Sequence, residues 1–540
     1  MPEWFQQVIL PYKKTFFSLS SLSLSSMVFF LTSTVSLHSI EARAQQASSQ
    51  YSSAVIEGAK NQQVTVEGLA SHTISLTDVL RSSYTHHPKV LSALAEREQT
   101  EAAVTAAQGA FDWQYKQQYD SRLSGYYDGN YWENSLSKPL GDWNAKVTAK
   151  YRRSDGDFPV YEEINSTLNR GEASIGVSLS LLKDRAIDKK RLTLQNAEVG
   201  VLAAQQMQTL SINDVLNKAG QTYLKWYLAN ERLRLVQVLV GMAEQRQEAI
   251  KIRVKQGDAA EITLTEAQTS VLSRRAMLVE EEQSLARFAQ ELSLYWRDAA
   301  GNPVLPQHIS FSGTLSRSSV EELNTLLELS RGRIRALTLN RPSSDAGFND
   351  YWKMAVIERH PALAEVDAAL IQVENQLRLA KNDHLPNLDL SLKVAEDFGG
   401  GPDNLDDTDT IVALNFSMPL ERRYAKASLQ KAKAKERELK AKRRMISDNL
   451  QAEVSAELMN FTMLKSYSEI KQQQAQLAIK LLSQEQVRFA EGDSDQFILN
   501  SRETSAANAL LQSVKANVDY VAQKIHLLAL GAELESVFIQ

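Results

Sequence analysis

"HHPKVLSALAE" spans residues 86–96, and "RHPALAEVDAA" spans residues 359–369. Each is a histidine–proline pair followed by apolar residues at helical spacing. That pattern opens a helix, because proline's fixed φ and missing N–H suit the first turn. The two stretches lie 273 positions apart in a chain of 540 residues. A helix that starts twice at such a distance points to a duplicated unit.

Reading outward from the first start, helix-friendly sequence runs from Ser75 to about Gln108. The period then changes to two. Phe111, Trp113, Tyr115 and Tyr119 fall on one side of an alternation, followed by Trp143, Ala145, Val147, Ala149 and Tyr151, then Ala173, Ile175, Val177, Leu179 and Leu181. These are strand signals. Twelve of the chain's forty aromatics lie between Phe111 and Tyr161, a density suited to strands crossing a bilayer with interfacial girdles. A soluble β-sandwich insert is the alternative, weakened by the polar faces of these strands.

The order restarts at the second histidine–proline pair. A helix is expected over about 351–382, then strands carrying Leu388, Leu390, Leu392 and Val394, and Val412, Leu414, Phe416 and Met418. Each strand region feeds a stretch without proline, residues 183–256 and 420–491. At about 1.5 Å per residue, each helix would run roughly 110 Å. "KQGDAAE" (255–261) and "AEGDSDQ" (490–496) end them, with glycine where a helix C-terminus favours a left-handed residue. Further helices are expected to about Trp296 and Gly531.

The two halves differ in one place. The helix starts match at an offset of 273, whereas "SLLKDR" (180–185) matches "SMPLER" (417–422) at 237. The surplus of 36 residues therefore sits in the first strand region, where "LSKPLG" (136–141) repeats the strand ending. We expect one additional hairpin near residues 124–153, joining the sheet or extending it.

Other features narrow the function. Cysteine is absent, so there is no disulfide and no thiolate chemistry. Eight scattered histidines contain no H-E-x-x-H, and the glycine-rich "FGGGPD" (398–403) lacks the Gly-Lys-Ser/Thr of a phosphate cradle. We read no catalytic residue, no cofactor and no metal. The net charge of −5 gives no footprint for nucleic acid, and "KAKAKERELKAKRR" (431–444), with its interleaved glutamates, reads as a solvated helix face. Residues 1–44 read as an export signal, with Lys13 and Lys14 before an apolar, serine-rich stretch and Ala42-Arg43-Ala44 as the cleavage pattern. No later stretch reaches 18 consecutive apolar residues.

Four strands, or six with the extra hairpin, are too few to close a barrel, and open sheet edges are not tolerated in lipid. The chain must therefore oligomerise. Strands shared among copies, each continuing into a helix about 100 Å long, make a tube. The fold class expected is mainly α with a transmembrane β-barrel, a conduit from the outer membrane across the periplasm. A non-conducting periplasmic coiled-coil scaffold or adaptor is the competing reading.

The duplicated His-Pro starts, the strand endings and the paired R-x-x-x-G turns (Arg253 to Gly257, Arg488 to Gly492) resemble the TolC family of outer-membrane efflux proteins. The resemblance covers about 74–534. It implies a homotrimer with a shared β-barrel and an α-helical barrel, and an exit duct for efflux or type I secretion. It further implies a periplasmic adaptor (membrane fusion protein), an inner-membrane transporter and contact with outer-membrane lipid. The domain reading is 1–44 signal, 45–73 N-terminal linker, 74–298 first repeat (strands about 111–182), 299–350 equatorial linker and 351–540 second repeat (strands about 387–419).

Gly257, Asp258, Gly492 and Asp493 are the expected periplasmic tip and adaptor contact. The resemblance places entrance carboxylates six and nine residues after each turn glycine. Thr263, Glu266, Ile498 and Ser501 stand there, so only Glu266 keeps a charge. Glu261, Glu266 and Asp495, with Asp258 and Asp493, are candidates for an acidic rim favouring cations. Helix capping is the alternative role for those nearest the turn.

Overall fold

The computed structural model describes residues 74–125, 128–141, 144–156, 158, 166–306, 354, 356–401 and 407–538. The expected export signal, the N-terminal linker, Trp143, Tyr161 and most of the linker at 299–350 lie outside the described residues. Among the described residues, no helix is long and apolar enough to cross a membrane.

Two helices, α1 (Leu76–His86) and α2 (Pro88–Gln108), lead into strands β1 (Gln114–Arg122), β2 (Gly129–Leu140), β3 (Ala145–Gly156) and β4 (Glu172–Ser180). The helical hairpin α3 (Lys189–Gln256) and α4 (Glu261–Ser293) follows. The second half repeats the order with α5 (Pro361–Asn382), β5 (Asn387–Asp397), β6 (Thr408–Ser417), α6 (Arg423–Glu491) and α7 (Gln496–Leu530), and ends in the short α8 (Leu534–Phe538). Corresponding helices nearly match in length: 21 and 22 residues for α2 and α5, 68 and 69 for α3 and α6, 33 and 35 for α4 and α7. The halves differ in the sheet, where the first contributes four strands and the second two.

The structure corrects the sequence reading at several boundaries. The helix expected from Ser75 to Gln108 is two helices, broken at Pro88, which has no N–H for the bond a continuous helix would need. Phe111 lies in a 3-10 turn, Gly109–Phe111, and Trp113 precedes β1, so the first two aromatics of the alternation are not in the strand. Residues 181–188 form a connection before α3, whose N-terminus is set by Asp188 accepting the Arg191 N–H.

The repeated opening has one local cause. His87 and His360 occupy the N-cap positions of α2 and α5, and each Nδ1 accepts a backbone N–H, from Lys89 and Ala362, at 3.2 Å. The following proline takes the first helical position. The His87 ring also stacks on Tyr295 with centroids 5.4 Å apart. Only an unprotonated Nδ1 can accept. Burial pushes the His87 imidazole below its ordinary value, and Arg297 and Lys89 push it further, against Asp214. Burial lowers His360 too, against a bond with the Leu530 backbone.

A histidine lowered on folding stabilises the protein fully above its unfolded value of about 6.5. That contribution falls as the pH drops below this value and levels off below the folded one. We therefore expect thermal stability to decline from pH 7.5 to 5, and the decline to be smaller with His87→Asn and His360→Asn, which keep a capping acceptor. Equal pH dependence in the variant would contradict this.

The core lies between helices rather than inside a single layer. Helix α3 packs on α2 and α4 and also on α5 and α7, while α6 packs on α5 and α7. Buried on both sides, α3 carries apolar residues around much of its circumference. Its Leu216, Tyr223 and Trp226 meet Leu76, Val521 and Ile525 in one cluster, and Leu235 and Leu239 meet Ile479, Leu482 and Leu510 in another.

The six strands form one sheet in the order β1-β2-β3-β4-β5-β6, every neighbouring pair antiparallel. The two repeats join where β4 pairs with β5, Val177 opposite Leu392. Among the described residues, strands β1 and β6 each pair on one side only.

Candidate functional site

Two regions combine position with chemistry: the far ends of the long hairpins and the faces of the sheet.

At the hairpin ends the two repeats use the same turn. Gly257 and Gly492 have φ of +83° and +87°. Asp258 and Asp493 donate their N–H groups back to the Arg253 and Arg488 carbonyls at 2.9 Å, and the glycine N–H groups donate to the Val254 and Phe489 carbonyls. This is the left-handed helix ending that glycine permits without strain. No atom lies within 4 Å of a Cβ placed at either glycine, so backbone conformation alone demands it.

The candidate carboxylates divide. Asp495 is the N-cap of α7 and accepts the Ile498 N–H at 2.8 Å. Asp258, Glu261, Glu266 and Asp493 are exposed, as are Arg253 and Lys255. Arg488 donates to the Asp493 carbonyl at 3.1 Å.

Behind this end lies a charge cluster that the sequence reading missed. Glu503 on α7 is 1 % exposed and pairs with Arg246 of α3 and with Arg274 of α4, the latter at 2.9 Å. Arg274 also donates to the Leu239 carbonyl and to Asn500 Oδ1, both at 2.8 Å. Nearer the turn, buried Glu485 accepts from the Ser494 hydroxyl at 2.5 Å and faces Arg488 and Arg502. The signal for the first cluster was present. Glu503 interrupts the buried series Leu499, Ala506, Leu510, and Arg274 follows Ala267 and Val271 at helical spacing. A charge on a core stripe requires a partner.

The sheet is two-faced. Cross-strand partners project to the same side, so the register sorts the residues. Tyr119, Leu136, Ala149, Ile175, Val394 and the row Val147, Val177, Leu392, Val412 share one face with Leu414 and Phe416. Ile175, Val412, Leu414 and Phe416 on that face are all more than half exposed. The other face carries Lys116, Glu133, Ser135, Lys150, Arg152, Glu172, Ser174 and Lys393. There Arg152 and Lys393 both hold Glu172, which is 3 % exposed, with Lys393 at 2.9 Å. Trp132 meets Tyr151 edge-on at 6.2 Å near the outer end of the apolar face, and Lys138 lies over Trp113 at 5.3 Å near the helical end.

Among the described residues, no group of three or more His, Asp or Glu could hold a metal ion.

A two-faced antiparallel sheet whose strands run into duplicated long helical hairpins defines a class. The chain has the fold of TolC-type outer-membrane channels. Solved structures carry that statement. The Campylobacter jejuni CmeC outer membrane channel is 14% identical, with 85% of this chain and 86% of that one covered and a TM-score of 0.54. The open-state Neisseria gonorrhoeae MtrE outer membrane channel is 14% identical over 85% and 89%, with a TM-score of 0.57. The Vibrio cholerae outer membrane protein VceC is 14% identical over 84% and 96%, with a TM-score of 0.54. No family model and no curated protein sequence matches the chain.

Proposed function

We propose that this protein is the outer-membrane exit duct of an export assembly. In this reading it closes as a homotrimer and conducts substrates passively from the periplasm to the outside. The observation that carries the reading is the sheet, with an apolar exposed face, a charged opposite face and two edges that pair with nothing else among the described residues. Three copies of six strands would close an eighteen-stranded barrel, apolar face to lipid and polar face to the lumen, leaving no open edge. A barrel of about 16–18 strands holds an aqueous channel.

The helical flanks support the same closure. Among the described residues, helix α6 packs chiefly on α5 and α7, with Ile479 and Leu482 reaching α3, and leaves Met459, Met463, Ile470 and Leu477 more than 60 % exposed. On the opposite flank, Ile262, Leu272 and Val279 of α4 are equally bare. Charge is complementary as well. Exposed Glu96 and Glu98 of α2 and exposed Lys431, Lys433 and Lys435 of α6 stand at similar distances from the sheet along their helices. One copy's α6 against the next copy's α2 and α4 would cover both flanks.

The hairpin ends would then ring the periplasmic entrance. Gly257, Asp258, Gly492 and Asp493 would meet a periplasmic adaptor joined to an inner-membrane transporter, and Asp258, Glu261, Glu266 and Asp493 would line the rim. Asp495 serves there chiefly as a cap.

The chain's lack of cysteine offers a clean test. One cysteine at Leu414→Cys in β6, combined in turn with single cysteines along β1 residues 114–120, should yield oxidised products up to a closed trimer. The purified protein should conduct ions across a planar bilayer. A monomer that neither cross-links nor conducts would end this reading.

A further inference from the structure

The polar face of the sheet is zoned by charge, and one zone forms a site. Around Gly176 in β4, the register sets Thr148 on one side and Lys393 on the other. Lys146 and Lys150 flank Thr148 on β3, opposite Ser178 and Ser174. Three lysines thus surround a point with no side chain, and four hydroxyls, of Thr148, Ser174, Ser178 and Ser391, stand around it. The resulting groove has a volume of about 250 Å3, and no carboxylate lines it.

Acids lie one step away on both sides: Asp389 toward the helices, where it accepts from the Ser180 hydroxyl at 2.7 Å, and Glu133 and Glu172 toward the outer loops. Lys150 reaches Glu133 at 3.0 Å and Lys393 reaches Glu172 at 2.9 Å, so both ammonium groups are held in place at the groove's outer margin. Glu172 is also bound by Arg152, and Glu133 also accepts from Tyr131. Each acid is therefore already shared with a second donor. Lys146 forms no ion pair among the described residues. Lys116, on the same face further along, donates to Gln118 at 3.2 Å.

Like charges at neighbouring sheet positions repel, and a multivalent oxyanion is the ligand that removes the repulsion. Ammonium groups act as point-charge donors to such anions, and serine and threonine hydroxyls add directed bonds. The missing Cβ at Gly176 leaves room for the anion to sit against the sheet.

We infer that this groove is a binding step for multivalent oxyanions, that is, for solutes carrying phosphate or several carboxylate groups. The inference rests on the duct reading, which places this face in the lumen, repeated three times around the barrel. Cargo of that class would pause at the groove on its way out. An acidic rim at the periplasmic end and a basic girdle in the barrel are compatible, because they act at different depths.

Inorganic pyrophosphate is a suitable probe, titrated into the purified protein and followed by calorimetry at low salt. Saturable binding is expected, weakening as salt rises. Lys146→Gln alone, which breaks no ion pair, should weaken it about tenfold, the effect of losing one charge-assisted contact. Lys146→Gln, Lys150→Gln and Lys393→Gln together should abolish it. Lys225→Gln with Lys515→Gln, at exposed positions on α3 and α7, should leave it unchanged.

Binding that survives the triple groove variant, or that vanishes in the helix variant, overturns the inference. So does an assembled, conducting channel that binds no pyrophosphate. A chain that neither assembles nor conducts overturns the duct reading instead, and this inference falls with it.

Discussion

Replacing Glu503 by alanine is expected to destabilise the hairpin end of the protein by about 3–5 kcal/mol, the cost of stranding a buried charge. Two arginines would lose their common partner. Arg246 and Arg274 are 11 % and 8 % exposed in their side chains, so water cannot replace the carboxylate. Arg274 would keep the Leu239 carbonyl and Asn500, which satisfy its hydrogens but not its charge.

Because Glu503 joins α3, α4 and α7, its loss should loosen all three helices together. Hydrogen exchange should rise near residues 239–250, 270–278 and 499–510, while exchange near Trp226 stays unchanged. The triple replacement Arg246→Met, Arg274→Met and Glu503→Leu should recover much of the stability, since it exchanges a paired charge cluster for apolar packing. Wild-type exchange in Glu503→Ala would show that the cluster contributes little.

A second large effect separates the faces of the sheet. Leu392 and Val412 are cross-strand partners on the apolar face, and their neighbours Ser391 and Ala413 are partners on the polar face. Arginine on the lipid side of a barrel costs about 2–4 kcal/mol at mid-depth, and arginine in the lumen costs far less. If the sheet closes into the proposed barrel, Leu392→Arg with Val412→Arg should therefore block assembly in the outer membrane, while Ser391→Arg with Ala413→Arg should assemble. Heat-resistant trimers in membrane fractions would report the difference. If both pairs assemble equally, or the polar-face pair alone fails, the orientation of the sheet is wrong.

Much of this architecture was legible because it is periodic and local. The His-Pro openings encode their own N-caps, and the two glycine turns encode their own left-handed endings. Proline-free stretches became helices of 68 and 69 residues. The alternation in β4, β5 and β6 announced their two faces. Where local signals competed, the reading slipped. Phe111 and Trp113 fit the alternation, yet the chain is still leaving α2 there through a 3-10 turn. The helix-friendly run from Ser75 to Gln108 hid a break at Pro88, where one helix ends and the next begins.

The candidate site was less legible. Asp495 stood among the rim candidates with helix capping as its alternative role, and its carboxylate does cap α7, whereas a rim depends on how copies assemble. Glu503, Arg246 and Arg274 each interrupt a core stripe on a different helix, and sequence cannot show that the three interruptions meet. The lysines around Gly176 have the same origin, since Lys146 and Lys150 come from the first repeat and Lys393 from the second.

By itself the sequence determined what each segment is: duplicated helices of matched length, strands of period two and turns requiring glycine. Hydrogen bonds between near neighbours and side-chain periodicity suffice for that. Tertiary structure alone decided which segments share a surface. Cross-strand register placed three lysines around one glycine, and helix packing brought one buried carboxylate to two arginines. Charge acts through space and without regard to chain order, so those groupings exist only once the two repeats are joined at β4 and β5.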